Sequence, residues 1–280
     1  MWPQKQKRLA KSKSADLELS EGDLFGVSEE ATGSLLLLGV LPISGVNRRL
    51  EQDGIYSRLE KLGYSDFYLT LDTRDYFLQR LALYCGKPTA DILLAELVLK
   101  RKTEIPVQLE TILDSDDELL QIEWLMLQHP LGEFTAERPR LPGQEAPGLG
   151  LGRSVLAFLM HLCRISGAVG IINRPEFYHN AAIYARAAKY VDPRFEARRK
   201  QLGGELGRKF GLAELSHAIE GGCVLENNET FGWFNQPQLL PVAAELRTYF
   251  RSTDYRSSVK EYRQKYHYKI DENCLKGLHL

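Results

Sequence analysis

Three glycines at alternate positions, Gly148, Gly150 and Gly152, close a Pro/Gly-rich stretch and are followed at once by Arg153 and a segment of helical apolar period. A glycine turn feeding a helix leaves the first backbone N–H groups without intrahelical partners, at the positive end of the helix dipole. That is chemistry for an anion. Nothing bulky at the glycines blocks a phosphate, the amides of Leu149 and Leu151 lie between them, and Arg153 adds a charge-assisted contact. The spacing is not G-x-G-x-x-G, and the chain has no G-x-x-x-x-G-K-[ST], so neither a dinucleotide fold nor a P-loop is implied. Upstream, Glu123 sits in the apolar run Ile122-Glu123-Trp124-Leu125, where half-burial would raise its carboxyl pKa and make a base of it. Downstream, Tyr178-His179 opens a helix whose dipole would favour a neutral imidazole. The polar residues Glu133, Glu137, Arg138, Arg140 and Gln144 lie between prolines, which suits an acceptor clamp and an ordinary surface loop equally. Each group also has a plain structural role: a tight helix entry for the glycines, a solvated or Arg-paired strand position for Glu123, capping and packing for Tyr178 and His179. The six histidines show no H-x-x-x-H or H-E-x-x-H, so no catalytic metal is expected, and His129 reads as a satisfied histidine at a strand end.

The elements that would hold these groups follow from apolar period and turn residues. Ser34–Leu41 is an apolar run fitting a strand or a buried helix edge, and Val46–Leu62 fits a surface helix stopped by Gly63. Strand-like runs follow at Phe67–Leu71, Tyr76–Tyr84, Ile92–Leu99 and Leu119–His129, as consecutive and mostly hairpin-connected strands, with Asp114–Glu118 as a solvated turn. Pro130–Pro147 is a long loop. Gly152–Ser166 is a helix with Val155, Leu156, Leu159, Leu162 and Cys163 on one face and Gly167 as its stop. Ala168–Ile172 is a short buried strand, and Tyr178–Tyr190 an Ala-rich helix halted before Asp192-Pro193. The remainder predicts a short helix over Leu212–Ile219, a hairpin turning at Asn227-Asn228, and a helix over Leu246–Tyr266.

From about Tyr64 to Tyr190, the order of strand, loop, Gly148-Leu149-Gly150, helix, strand and helix resembles the GNAT acyltransferase superfamily. Its members bind acyl-coenzyme A through Arg/Gln-x-x-Gly-x-Gly/Ala at a helix start. Here the Gly-x-Gly part is present. The Arg/Gln place falls on Glu145, with Gln144 one position early, or on Pro147 if the register moves to Gly150 and Gly152. The resemblance implies an α/β (α+β) fold with a mixed, mainly antiparallel central sheet and flanking helices. Residues 1–15 would be a basic tail, 16–193 the acyltransferase-like domain, and 194–280 a helix and hairpin appendage. It implies acetyl-CoA or another acyl-CoA as co-substrate, an amine acceptor, and direct attack of that amine on the thioester. The backbone of Leu127 and residues Gly148, Leu149, Gly150, Leu151, Gly152 and Arg153 would hold the coenzyme. Glu123 would take the proton, and Tyr178 or His179 would return one, with Tyr184 and Tyr190 as second choices. Glu133, Arg138 and Gln144 would meet the acceptor.

Composition sets the outer limits. The 280 residues are 44% hydrophobic and 26% charged, which excludes a wholly disordered chain, a collagen-like chain and a disulfide scaffold. Thirty-six basic against 37 acidic residues leave a formal charge of -1, so bulk electrostatics names no nucleic-acid or membrane partner. Met1–Lys13 carries five basic residues and no apolar stretch, as expected of a solvated tail and not of a secretory signal. No apolar run approaches the ~20 residues of a membrane span. Cys85, Cys163, Cys223 and Cys274 form no Cys-x-x-Cys and read as reduced, packed thiols of a cytoplasmic protein. A second functional class stays open: a GNAT-shaped, non-catalytic protein whose loop and appendage bind a protein or nucleic acid. Arg247, Arg251, Arg256, Lys260, Arg263 and Lys265, interleaved with Tyr249, Phe250, Tyr255, Tyr262 and Tyr266, would carry that role. A basic amphipathic surface helix is the plainer account of them, so a nucleic-acid partner is not expected.

Overall fold

The computed structural model describes residues 6–8, 35–89, 92–101 and 103–278. In chain order the elements are β1 (Gln6–Arg8), β2 (Leu36–Leu37), β3 (Leu41–Pro42), α1 (Ile43–Gln52), α2 (Ile55–Lys61), β4 (Phe67–Asp72), β5 (Leu78–Cys85), β6 (Leu93–Lys100) and β7 (Leu119–Leu127). Then come α3 (Gly152–Ser166), β8 (Gly170–Asn173), α4 (Tyr178–Tyr184), β9 (Lys189–Tyr190), α5 (Pro193–Glu205) and α6 (Gly207–Glu220). The chain continues through β10 (Val224–Glu226), β11 (Glu229–Thr230), β12 (Gln238–Pro241), α7 (Ala244–Arg251), α8 (Thr253–Arg263), β13 (Tyr268–Ile270) and α9 (Glu272–Gly277). Seven strands in the order β4-β5-β6-β7-β8-β12-β9 form a mixed, mainly antiparallel sheet with flanking helices, and β1 adds to the β4 edge. Three residues of the expected basic tail are thus a strand; the rest of that tail lies outside the described residues.

Contacts divide the chain into two units. The first holds Met1–Arg101, Trp124–Pro130 and Gly148–Ser166; the second holds Lys102–Glu123, Leu131–Pro147 and Gly167–Leu280. In the first unit β4, β5 and β6 pair antiparallel in sequence order, with a register shift at Leu83/Tyr84. The single helix expected over Val46–Leu62 is two. Its buried residues Val46, Leu50, Ile55 and Leu59 step by four, five and four, and the odd step coincides with Gly54 in the left-handed region at φ 70°. Helix α3 spans the expected residues. It buries Ser154, Phe158, Leu159, Leu162 and Cys163, a face turned slightly from the predicted one, and Gly167 at φ 78° ends it.

In the second unit the start of β7 pairs in parallel with β8, from Leu119↔Gly170 to Ile122↔Asn173. The chain does not separate at residue 193. Gln238–Pro241 inserts between β8 and β9, antiparallel to both, so the expected appendage supplies an interior strand. The helix expected over Tyr178–Tyr190 stops at Tyr184, and Lys189–Tyr190 is a strand, held by pairing with β12 that local composition does not encode. Asp192 caps α5 by accepting from the Arg194 amide, with Pro193 in the first turn. The predicted hairpin is present: Asn227 and Asn228 both take positive φ, 53° and 73°. Leu246–Tyr266 is two helices, because Ser252 leaves the helix and its Oγ accepts from the Tyr255 amide as a fresh N-cap.

Cys223 and Cys274 are joined by a disulfide, Cα–Cα 5.3 Å, which corrects the expectation of four reduced thiols. The cause is register: β10 pairs with β13, and the Asp271 amide donates to the Cys223 carbonyl, bringing the start of α9 against β10. Cys85 and Cys163 take no part in a disulfide. Cysteine usage therefore gives no support for a reducing compartment. No helix among the described residues is long and apolar enough to cross a membrane.

Candidate functional site

In the first unit the glycine turn meets the end of β7. A Cβ placed on Gly148 would lie 3.8 Å from the Leu127 carbonyl oxygen. Leu149 and Leu151 are buried, while Gly150 and Gly152 are exposed, and a Cβ on either would meet nothing within 4 Å. Two leucines anchor the turn and three glycines keep its outer side bare. Gly150, at φ 69°, makes the reversal that L-residues adopt only under strain. The first helical bond of α3 runs from the Val155 amide to the Leu151 carbonyl, 3.0 Å. Among the described residues, the amides of Leu149, Gly150, Leu151, Gly152, Arg153 and Ser154 donate to no protein acceptor. Arg153 is exposed and makes no ion pair among the described residues. Six adjacent N–H groups and one guanidinium offer an anion a complete set of donors. Ser154 Oγ donates to the Asp53 carbonyl at 3.0 Å and ties the head of α3 to the C-terminus of α1.

Behind this turn, in the same unit, lies a cavity of about 50 Å³ between one sheet face and helices α1 to α3. Leu125 and Leu127 of β7 line it, with Leu151, Val155 and Phe158 from the turn and α3. Strand parity puts Glu123 on the same face of β7 as Leu125 and Leu127. The face changes character along the strand: Thr103 Oγ1 donates to Gln121 Oε1, Gln121 Nε2 donates to Glu123 Oε1 at 2.9 Å, and the leucines follow. Glu123 itself is exposed, not half-buried as its apolar neighbours in sequence suggested. Those neighbours, Ile122 and Trp124, point to the other face, so the low-dielectric surround expected of its carboxyl is missing. His129 is satisfied, its Nδ1 2.6 Å from the Tyr64 hydroxyl.

Glu123 and the other predicted residues belong to the second unit. Tyr178 is buried against Trp233, with ring centroids 5.4 Å apart, and burial pushes its phenol pKa up. His179 is only 4% exposed, stacks on Phe177, and its Nδ1 has no hydrogen-bond partner among the described residues. Burial, with a smaller contribution from His217, lowers its pKa to about 4. The imidazole is therefore neutral, as predicted, but desolvation and not the dipole of the seven-residue α4 is the main cause. Burial likewise raises the phenol pKa values of Tyr184 and Tyr190.

The loop over 131–147 carries Glu133, Arg138 and Gln144, the residues expected to meet the acceptor. Gln144 is spent on the loop itself: its Oε1 accepts from the Leu141 amide and its carbonyl accepts from Arg140 Nε. Glu133 and Arg138 are exposed, and Arg138 closes a turn with Thr135 through backbone hydrogen bonds. The loop is held down instead at Arg140, whose carbonyl lies 2.9 Å from His217 Nε2, and at Gly143, where a Cβ would come within 2.9 Å of the Phe177 ring. Sequence reasoning missed His217, a lone histidine in α6 with no local signature. Three of the interleaved aromatics of α7 and α8 are engaged within the protein. Phe250 and Tyr255 are buried, and the Tyr249 and Tyr255 hydroxyls donate to the Val191 and Tyr190 carbonyls.

No group of three or more His, Cys, Asp or Glu placed to hold a metal occurs among the described residues. No protein-family model and no curated protein matches the chain.

Proposed function

We propose that the chain is an acyl-CoA-dependent N-acyltransferase that binds the coenzyme pyrophosphate at Gly148–Arg153. The observation that carries this is the row of amides from Leu149 to Ser154 without acceptors among the described residues, beside a bare glycine surface. Bound there, an acyl-CoA supplies a thioester: the acceptor amine forms the new C–N bond, the C–S bond breaks, and the proton lost by nitrogen is balanced by one gained at sulfur. The Leu149–Ser154 amides and Arg153 hold the phosphates, and Leu127 lines the start of the acyl path. Tyr178 and His179 are assigned to packing. Burial makes the phenol a weaker acid and the imidazole a weaker base than proton transfer near neutral pH asks for.

Thermal unfolding with and without free CoA and acetyl-CoA tests the assignment. A ligand at a hundred times its dissociation constant adds about 2.7 kcal/mol, or about 5–10 °C for a chain of this size. Gly150→Glu, which places a carboxylate among the same donors, is expected to remove the shift while the protein stays folded. No shift with either ligand would end the acyltransferase proposal. The alternative, a non-catalytic binding protein, draws support from Glu145, an acidic residue where the superfamily carries Arg or Gln.

A further inference from the structure

Protein cores hold few voids larger than a water molecule, yet the leucine-rich core of the first unit keeps a cavity of about 50 Å³. Its lining is apolar apart from Glu96, whose carboxylate is bound by Arg80. An apolar lining of this kind favours hydrocarbon over water. Two of its walls, Leu127 and Leu151, are the residues that flank the glycine turn in space: the Leu127 carbonyl approaches Gly148, and Leu151 immediately precedes Gly152. We infer that this cavity receives the acyl chain, and that the donor is a medium-chain acyl thioester of about six carbons and not acetyl-CoA. The inference rests on the coenzyme site proposed above and adds the substrate class to it. Its length follows from the room available. A water-sized group occupies about 10–15 Å³, so a cavity of about 50 Å³ has room for about four methylene or methyl groups beyond an acetyl left at its mouth.

The experiment is a titration series on the full chain with free CoA and with acetyl-, butyryl-, hexanoyl-, octanoyl- and dodecanoyl-CoA, read by calorimetry. Each methylene moved from water into the cavity is expected to tighten binding about fourfold, so hexanoyl-CoA binds about 200-fold more tightly than acetyl-CoA. Octanoyl and dodecanoyl chains add nothing further, because the space is filled. Binding of free CoA with equal affinities across the series overturns the cavity assignment and leaves the coenzyme site standing. Failure of free CoA and every thioester to bind overturns the site itself. As a second measurement, Ala95→Leu fills the cavity from the β6 wall, and the hexanoyl-to-acetyl affinity ratio is expected to fall toward one. A ratio unchanged in that variant, in protein whose unfolding remains cooperative, places the chain elsewhere and overturns the inference.

Discussion

Replacing His179 by phenylalanine is expected to flatten the acid limb of the stability curve. In the folded protein this imidazole is 4% exposed, its Nδ1 lacks a partner among the described residues, and its pKa falls from 6.5 to about 4. The unfolded chain takes up the proton near pH 6.5 and the native protein does not, so the native state loses stability as pH falls from 6.5 toward 4 and keeps all of it above 6.5. The full difference is about 3 kcal/mol, and about 2 kcal/mol of it is gone by pH 5. Phenylalanine keeps the stacking on Phe177 and removes no hydrogen bond at Nδ1. At pH 7.5 the two proteins should therefore differ by less than about 1 kcal/mol. Urea unfolding at half-unit steps from pH 7.5 to 4.5, on both proteins, isolates the effect, since every other titrating group is common to them. Parallel curves would mean that His179 protonates as easily folded as unfolded, and the argument from burial would be wrong.

Two further outcomes are expected. Gly143→Ala should cost clearly more than Gly150→Ala in equilibrium unfolding. Both glycines sit at φ near 70°, which costs an L-residue about 1–2 kcal/mol, but only at Gly143 does the new Cβ strike an aromatic ring, Phe177. Cys223→Ser with Cys274→Ser should lower stability by about 4 kcal/mol, the loop-closure value for a separation of 51 residues, and added reductant should reproduce that loss in the parent protein alone.

Local signals carried well where the determinant was local. The bounds of α3 follow from a glycine at each end and an apolar stripe between them, and the Asn227-Asn228 hairpin from two residues that accept positive φ. Two helix breaks have local signals of their own: the five-residue step from Leu50 to Ile55 across Gly54, and a serine, Ser252, placed to cap a second helix. Other features had no local trace. The insertion of Gln238–Pro241 between β8 and β9 depends on partners distant in sequence, and the same insertion turned the end of the Ala-rich segment into a strand. The cysteine pair is brought together by the pairing of β10 with β13, not by spacing. Glu123 illustrates the limit of neighbour-based burial: in a strand the adjacent residues lie on the opposite face, so apolar neighbours at 122 and 124 say little about the surroundings at 123. At the candidate site, the glycines and the two leucines were found from sequence. The cavity was not, because its walls come from four strands and three helices dispersed from Leu50 to Phe158.

The donor surface ahead of α3 is composed of peptide groups and of positions with no side chain at all. Such a surface leaves little imprint for residue-by-residue comparison. A chain could exchange nearly every neighbouring amino acid and present the same row of hydrogens, provided it kept two greasy pegs at 149 and 151 and bare backbone between them. Evolution is then free to rewrite the surrounding loop, Glu145 included, at little cost to the geometry that would grip a negatively charged group.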